Sequence, residues 1–126
     1  MPATFEKKLI GQVICAEEGN FNFSVDLINN PQQFPVRILC DTNFGIQIQL
    51  PAIADFQGAY IDLLIIISDI TGNAVTNNIL VLTGGGDSFE YQGGTGVMDK
   101  MGQTTTLRIT TEGLWNVSGD GFTYGG

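Results

Sequence analysis

Glycine- and asparagine-containing breaks divide the chain into short stretches rich in Ile, Val, Phe and Thr, and this spacing constrains the fold more than any other feature. The breaks recur about every ten residues, the spacing typical of sandwiches and barrels. β-branched and aromatic residues favour strands. No window has a convincing apolar period of 3.6 residues, so we expect little helix. The sequence therefore predicts an all-β fold, a compact antiparallel β-sandwich or barrel of which a jelly roll is one form.

Alternation of apolar and polar residues places the strands and the core. Strands are predicted over residues 9–16, 21–27, 34–40, 46–50, 60–67, 79–82, 88–91, 104–110 and 114–117. The nearly continuous apolar run 60–67 predicts a strand buried on both faces, and the glycine-rich residues 93–96 predict a loop. Period-two spacing puts alternate residues on one face of a sheet. The core is predicted to contain Ile48, Leu50, Ile65, Ile67, Ile79, Val81, Leu107 and Trp115.

The charge balance argues against two classes of partner. The net charge is −8, and the five Lys and Arg residues are scattered. A nucleic-acid site needs clustered positive charge, and so does a polybasic membrane-surface site. Charged residues make up 14% of the chain, against about 25% in typical globular domains. Such a surface suggests burial against copies of the chain or a larger assembly.

Length and termini favour one compact domain. The chain has 126 residues, the size of a single domain. Residues 1–44 are interpreted as N-terminal strands or an arm that contributes to docking, and 45–126 as a module that ends in a glycine-rich tail. The N-terminus lacks the apolar region of a signal peptide, and the longest apolar run is far short of the roughly 20 residues that span a bilayer. We expect synthesis in a cytoplasm without export.

Two cysteines, Cys15 and Cys40, occur in apolar, strand-like contexts. One disulfide between them is compatible with the sequence but cannot be inferred from two residues. Buried free thiols are the favoured interpretation, because cysteine behaves as a small apolar residue in cores.

Turn chemistry explains the two most conspicuous polar motifs. Gly72 and Asn73 tolerate positive φ at a hairpin corner, and Asp69 can accept a hydrogen bond from the backbone two residues on. A calcium loop is the alternative, but the spacing lacks the oxygen-rich pattern that calcium needs. Asp87, after Gly86 and two further glycines, is predicted to cap its own loop. A phosphate cradle is disfavoured because no Gly-Lys-Ser or Gly-Lys-Thr follows.

Catalysis is not expected, nor is a cofactor or a metal ion. The chain has no histidine, which removes Ser-His, Cys-His and zinc-histidine chemistry. A carboxylate pair for glycoside cleavage, Asp87 with Glu90 or Asp62 with Asp69, remains a formal option.

Trp115 could form a ligand platform, but closing the core with its N–H bonded to a carbonyl is the favoured interpretation.

A series of motifs between Ile46 and Val117 resembles a β-rich module that recurs in phage fibres, head fibres and capsid decoration proteins. The order of the motifs is more specific than any one of them, and they cover a little over half the chain. They are Ile46-Gln47-Ile48-Gln49-Leu50-Pro51, Gly58-Ala59-Tyr60-Ile61, Asp69-Ile70-Thr71-Gly72-Asn73-Ala74, Thr76-Asn77-Asn78-Ile79, Gly85-Gly86-Asp87-Ser88-Phe89, Thr104-Thr105-Thr106-Leu107 and Gly113-Leu114-Trp115.

The resemblance implies an oligomeric, commonly trimeric, structural protein of the virion. The chain has no heptad or collagen-like shaft, which favours a capsid decoration or cement protein on the capsid exterior. The expected partners are sister copies, as a homotrimer, and the major capsid protein. The alternative is a short head- or tail-fibre knob that binds host carbohydrate. The predicted interface residues are Phe5, Lys7, Lys8, Phe122 and Tyr124, the last two because a short glycine-rich tail cannot bury them.

Overall fold

The computed structural model describes residues 12–15, 19–22, 36–56, 64–90, 92–111 and 113–124, and they form strands connected by turns. The all-β prediction is confirmed. A short 3-10 helix covers Ile53–Phe56. The strands are β1 (Gln12–Cys15), β2 (Gly19–Asn22), β3 (Val36–Cys40), β4 (Ile46–Gln49), β5 (Leu64–Asp69), β6 (Ile79–Leu82), β7 (Ser88–Phe89), β8 (Thr95–Met98), β9 (Thr104–Thr111) and β10 (Leu114–Gly119).

The first six strands stack as three coils, each of which adds one strand to each of two sheets. The strand orders are β1-β3-β5-β9-β10-β7 in one sheet and β2-β4-β6-β8 in the other. Within each sheet these strands run parallel. Arg37 of the second coil is opposite Gln12 of the first and Ile66 of the third. The N-terminal part of the chain is therefore solenoid-like.

The C-terminal strands close this stack with antiparallel pairing. β8 pairs antiparallel with β6, and β9 pairs antiparallel with both β5 and β10, while β7 pairs parallel with β10. The prediction of antiparallel pairing is thus right for the pairs made by β8 and β9, and wrong for the coils and for β7 with β10. In the coils, consecutive strands belong to different sheets, so the turns between them do not form hairpins. The loop predicted over residues 93–96 is wrong for Thr95 and Gly96, which begin β8, because glycines are typical of turns.

The inner faces of both sheets share one apolar core. Every residue predicted for the core is buried there: Ile48, Leu50, Ile65, Ile67, Ile79, Val81, Leu107 and Trp115. β5 is buried on its inner face, whereas Leu64 and Ile66 on its outer face are half-buried. The prediction of burial on both faces is therefore wrong in the described residues. Strands from before and after residues 41–45 are neighbours in both sheets, β3 with β5 and β2 with β4, so these residues are a turn within one unit.

The C-terminal tail packs on the sandwich, which corrects the expectation that it cannot bury its aromatic residues. Thr123 and Val97 exchange two backbone hydrogen bonds, with N···O distances of 2.9 and 2.8 Å. The ring of Phe122 is 4.8 Å from that of Phe89, measured between centroids. Tyr124 follows, with its ring 6.1 Å from that of Phe122. Both tail aromatics are half-buried against the core.

Glycine at position 96 is needed for this packing, because a Cβ there would lie 2.5 Å from ring carbons of Phe122. Gly96→Ala is expected to lower the free energy of unfolding by about 1–2 kcal/mol, since overpacking costs that much. In a Phe122→Ala background the same change should cost roughly 0.5 kcal/mol or less, because the clash is gone. Denaturant unfolding of the four proteins measures the coupling.

Gly45→Ala is the matched control, because a Cβ there meets nothing within 4 Å and the backbone is not in the left-handed region. Additive effects of Gly96→Ala and Phe122→Ala would contradict the docking of the tail on β8.

Candidate functional site

Asp69, at the end of β5, has a carboxylate that accepts hydrogen bonds from three different turns. Oδ1 accepts from the Thr42 hydroxyl at 2.5 Å and from the Gly72 N–H at 2.9 Å. Oδ2 accepts from the N–H groups of Ala74 at 3.1 Å and Gly102 at 3.0 Å. Only 6% of Asp69 is exposed to solvent. One buried carboxylate therefore links turns that follow β3, β5 and β8.

Further hydrogen bonds join the first two of these turns directly. The Thr42 hydroxyl, which donates to Asp69, also accepts from the N–H of Asn73 at 2.9 Å. The side-chain amide of Asn77 donates to the Thr42 carbonyl, and that of Asn73 donates to the Asn43 side-chain oxygen. We call residues 41–45, 70–77 and 99–103, together with Asp69, the Asp69 turn cluster.

The ionised form of Asp69 is the one that this cluster stabilises. Burial acts to raise the pKa of the carboxyl group, but the Thr42 hydroxyl and the N–H groups of Gly102, Gly72 and Ala74 outweigh it. The pKa is therefore held below the ordinary value of 3.8. Hydrogen bonds donated to a carboxylate favour its charged form.

The donors around Asp69 identify the motif as a structural turn. Gly72 has a φ of +82°, as predicted, whereas Asn73 contributes its side-chain amide and does not adopt positive φ. A calcium ion needs oxygen atoms that face it, and this carboxylate faces N–H and O–H donors. The calcium alternative therefore does not fit the geometry.

Asp87 fixes a different turn from the one predicted. Its carboxylate accepts from the N–H of Ile53 at 2.8 Å, so it caps the start of the 3-10 helix and not its own loop. The loop itself is held by a backbone bond from Asp87 N–H to the Gly84 carbonyl. Gly86 has a φ of +81°, which suits glycine. The sequence could not reveal Ile53 as a partner, because it lies 34 residues away.

Among the residues whose burial the structure describes, the exposed large apolar side chains all belong to the Asp69 turn cluster. Phe44 is 43% exposed, Ile70 54%, Val75 64% and Met101 74%. Phe44 is in the turn after β3, Ile70 and Val75 follow β5, and Met101 is in the turn after β8. A Cβ on Gly72 would lie 3.6 Å from Cγ of Met101, which brings the second and third turns together. We call these four residues the turn-end patch.

The turn-end patch was not predicted from the sequence. Single apolar residues in turns are common and need no explanation, and the Asp69 hydrogen bonds that join these turns connect residues far apart in sequence. Three of the predicted interface residues, Phe5, Lys7 and Lys8, lie outside the described residues.

Trp115 is fully buried, and no described residue accepts a hydrogen bond from its Nε1. The prediction of a carbonyl partner is therefore wrong within the described part of the chain. Trp115 pairs with Phe89 on β7 and with Ile109 on β9. It closes the core, as expected, and it does not form an exposed platform.

Tyr124, in the C-terminal tail, lies near the carboxylate of Glu90. Burial and the negative charge of Glu90 raise the pKa of Tyr124 above its ordinary value of 10.0. Glu90 has a φ of +52°, which is uncommon outside glycine. Its Oε2 accepts from the Asn116 side-chain amide at 3.3 Å and from the Val117 N–H at 3.4 Å. Glu90 thus binds Asn116, and it is near enough to Tyr124 for its charge to act on the phenol.

The described residues also bear on three other classes of site. They contain no group of three or more His, Cys, Asp or Glu side chains that could hold a metal ion. Of the carboxylate pairs considered from the sequence, Asp62 lies outside the described residues, and Asp69 is occupied by the turns it joins. None of the described helical structure has the length and apolar character needed to cross a membrane.

No protein-family model matches the chain, and no curated protein is significantly similar to it, so the residues of this chain carry the functional argument.

Proposed function

We propose that the protein is a structural component of a bacteriophage virion, a capsid decoration or cement protein that binds and stabilises the exterior of the head. The observation that carries the proposal is the turn-end patch, a group of exposed apolar side chains on turns that are joined by one buried carboxylate. The proposal also rests on the resemblance of residues 46–117 to modules of phage fibres and decoration proteins.

The Asp69 turn cluster prepares this patch for binding. A surface that is already ordered loses little conformational entropy when a partner covers it, so more of the apolar burial contributes to affinity. The hydrogen bonds to Asp69 and Thr42 hold the backbone of the turns that carry Ile70 and Val75. A rigid apolar surface is suited to a permanent contact with a capsid shell.

The charge of the chain is compatible with the outside of a capsid. A net charge of −8 repels nucleic acid, which argues against a place beside the packaged genome. We expect no catalytic activity and no cofactor, because the described carboxylates with clear partners hold turns and strands together.

Self-association, expected as a homotrimer, would cover the outer sheet faces. Leu64 and Ile66 on β5 and Leu80 and Leu82 on β6 are half-buried apolar residues that do not belong to the shared core. A homotrimer would give three times the monomer mass in sedimentation or light scattering. A monomer at all concentrations would contradict this part of the proposal.

Loss of the turn-end patch is expected to abolish attachment while the fold is kept. The double variant Ile70→Ser, Met101→Ser should bind shells that lack the protein at least about tenfold more weakly, because burying each apolar side chain contributes about 1.5–3 kcal/mol. Both side chains are more than half exposed, so thermal stability should change little. Binding is measured by co-sedimentation of the protein with purified shells.

Ala54→Ser is the control, because Ala54 is exposed in the 3-10 helix, outside both the turn-end patch and the outer sheet faces. Normal shell binding by the Ile70, Met101 double variant would overturn the role of the patch. Hundreds of copies per particle on a protein gel would support decoration, whereas a few copies would support a fibre.

A fibre knob that binds host carbohydrate is the second candidate, and the group formed by Tyr124, Glu90 and Asn116 favours it. Aromatic faces beside carboxylates and amides can stack on and hydrogen-bond to sugars. Binding on a glycan array that is lost in Tyr124→Ala would support the knob, and a blank array beside normal shell binding would support decoration.

A further inference from the structure

The two cysteines of the chain are register partners on neighbouring strands. Cys15 ends β1, Cys40 ends β3, and the parallel pairing places them opposite each other. We propose that Cys15 and Cys40 form an intramolecular disulfide under oxidising conditions, and that this bond locks the first coil of the stack onto the second.

Strand geometry makes this bond feasible. Neighbouring strands lie about 4.7–4.9 Å apart, and disulfides connect Cα atoms separated by roughly 4.4–6.8 Å. Residues opposite each other on paired strands lie on the same face of a sheet. Cys40 is a free cysteine with no solvent exposure.

The position of β1 provides the access that oxidation requires. Among the described strands, β1 is at the edge of its sheet, with β3 as its neighbour. A four-residue edge strand opens more readily than the interior of a sheet, and such opening would expose Cys40. Oxidation would then connect the strand that opens most easily to the strand beneath it.

The oxidant is a low-molecular-weight disulfide such as oxidised glutathione. The thiolate of one cysteine attacks it, which forms a mixed disulfide and releases one reduced glutathione. The thiolate of the second cysteine then displaces the other glutathione and forms the Cys15–Cys40 bond. Two protein thiols are oxidised, one glutathione disulfide is reduced, and the two thiol protons are carried by the released glutathione.

The test is to incubate the folded protein with oxidised glutathione and to map peptides by mass spectrometry without reduction. We expect a peptide that links residues 15 and 40, a fall from two titratable thiols to none in denaturant, and a rise in Tm of roughly 5 °C, because the cross-link restricts the unfolded chain. Adding a reductant should reverse all three changes.

Cys15→Ser is the control that separates the cross-link from other effects of the oxidant. It should retain the fold and show no rise in Tm on oxidation. Two thiols that remain titratable in the oxidised wild type would overturn the proposal, as would only glutathione adducts or only linked dimers.

Discussion

Replacing Asp69 with asparagine is expected to lower the free energy of unfolding by about 3 kcal/mol, because buried donors that lose a charged acceptor cost roughly 1–3 kcal/mol each. Both carboxylate oxygens of Asp69 accept hydrogen bonds from donors. Asparagine keeps one acceptor oxygen and turns an NH2 group toward the N–H groups on the other side. Urea unfolding at pH 7 measures the loss. Asp55→Asn, on an exposed residue, is the control and should change stability by less than about 0.5 kcal/mol.

The effect of Asp69→Asn is expected to shrink in acid. The pKa of Asp69 is lower in the folded protein than its ordinary value of 3.8, so the unfolded chain takes up a proton first as the pH falls. The stability that the carboxylate contributes is therefore present above about pH 4 and is lost as the pH drops through the lowered folded pKa. The measurement is the free energy of unfolding of the wild type and of Asp69→Asn at pH 7 and at pH 3. A stability difference that does not depend on pH would contradict the stabilisation of the ionised form.

Truncation of Trp115 to alanine is expected to cost about 3–5 kcal/mol, the range for removing a large aromatic side chain from a core. Trp115 is fully buried, and its strand is paired with both β9 and β7. Trp115→Phe should cost clearly less, about 1–2 kcal/mol, because no described residue accepts a hydrogen bond from Nε1. Denaturant unfolding measures the stability of both Trp115 variants. Met101→Ala, at an exposed residue, is the control. A Phe variant as unstable as the Ala variant would show that the indole N–H has a partner that matters.

Local periodicity made the strands and the core predictable. Ile46, Ile48 and Leu50 alternate with glutamines, and all three are buried in the structure. The pairing of the strands was harder to predict from the sequence. Parallel neighbours in the coils are separated along the chain by a strand that belongs to the other sheet. β8 was not predicted, because a glycine such as Gly96 is by itself typical of a loop. In the structure the missing side chain of Gly96 makes room for Phe122.

Only the part of the candidate site that is formed by residues close in sequence was predictable. Asp69 and Gly72 are three residues apart, and their turn was predicted. The Thr42 hydroxyl and the Gly102 N–H reach the same carboxylate from 27 and 33 residues away. No local pattern encodes contacts of that separation, so the turn-end patch that depends on them could not be foreseen.

The stacking of parallel coils allows the height of this protein to change independently of its proposed attachment surface. The Asp69 turn cluster joins the turns after β3, β5 and β8, and the first coil contributes none of the hydrogen bonds described for it. A duplicated coil inserted before Val36 would extend each sheet by about 5 Å and leave Asp69 and its partners unchanged. Variants of different heights could therefore keep the same proposed attachment surface.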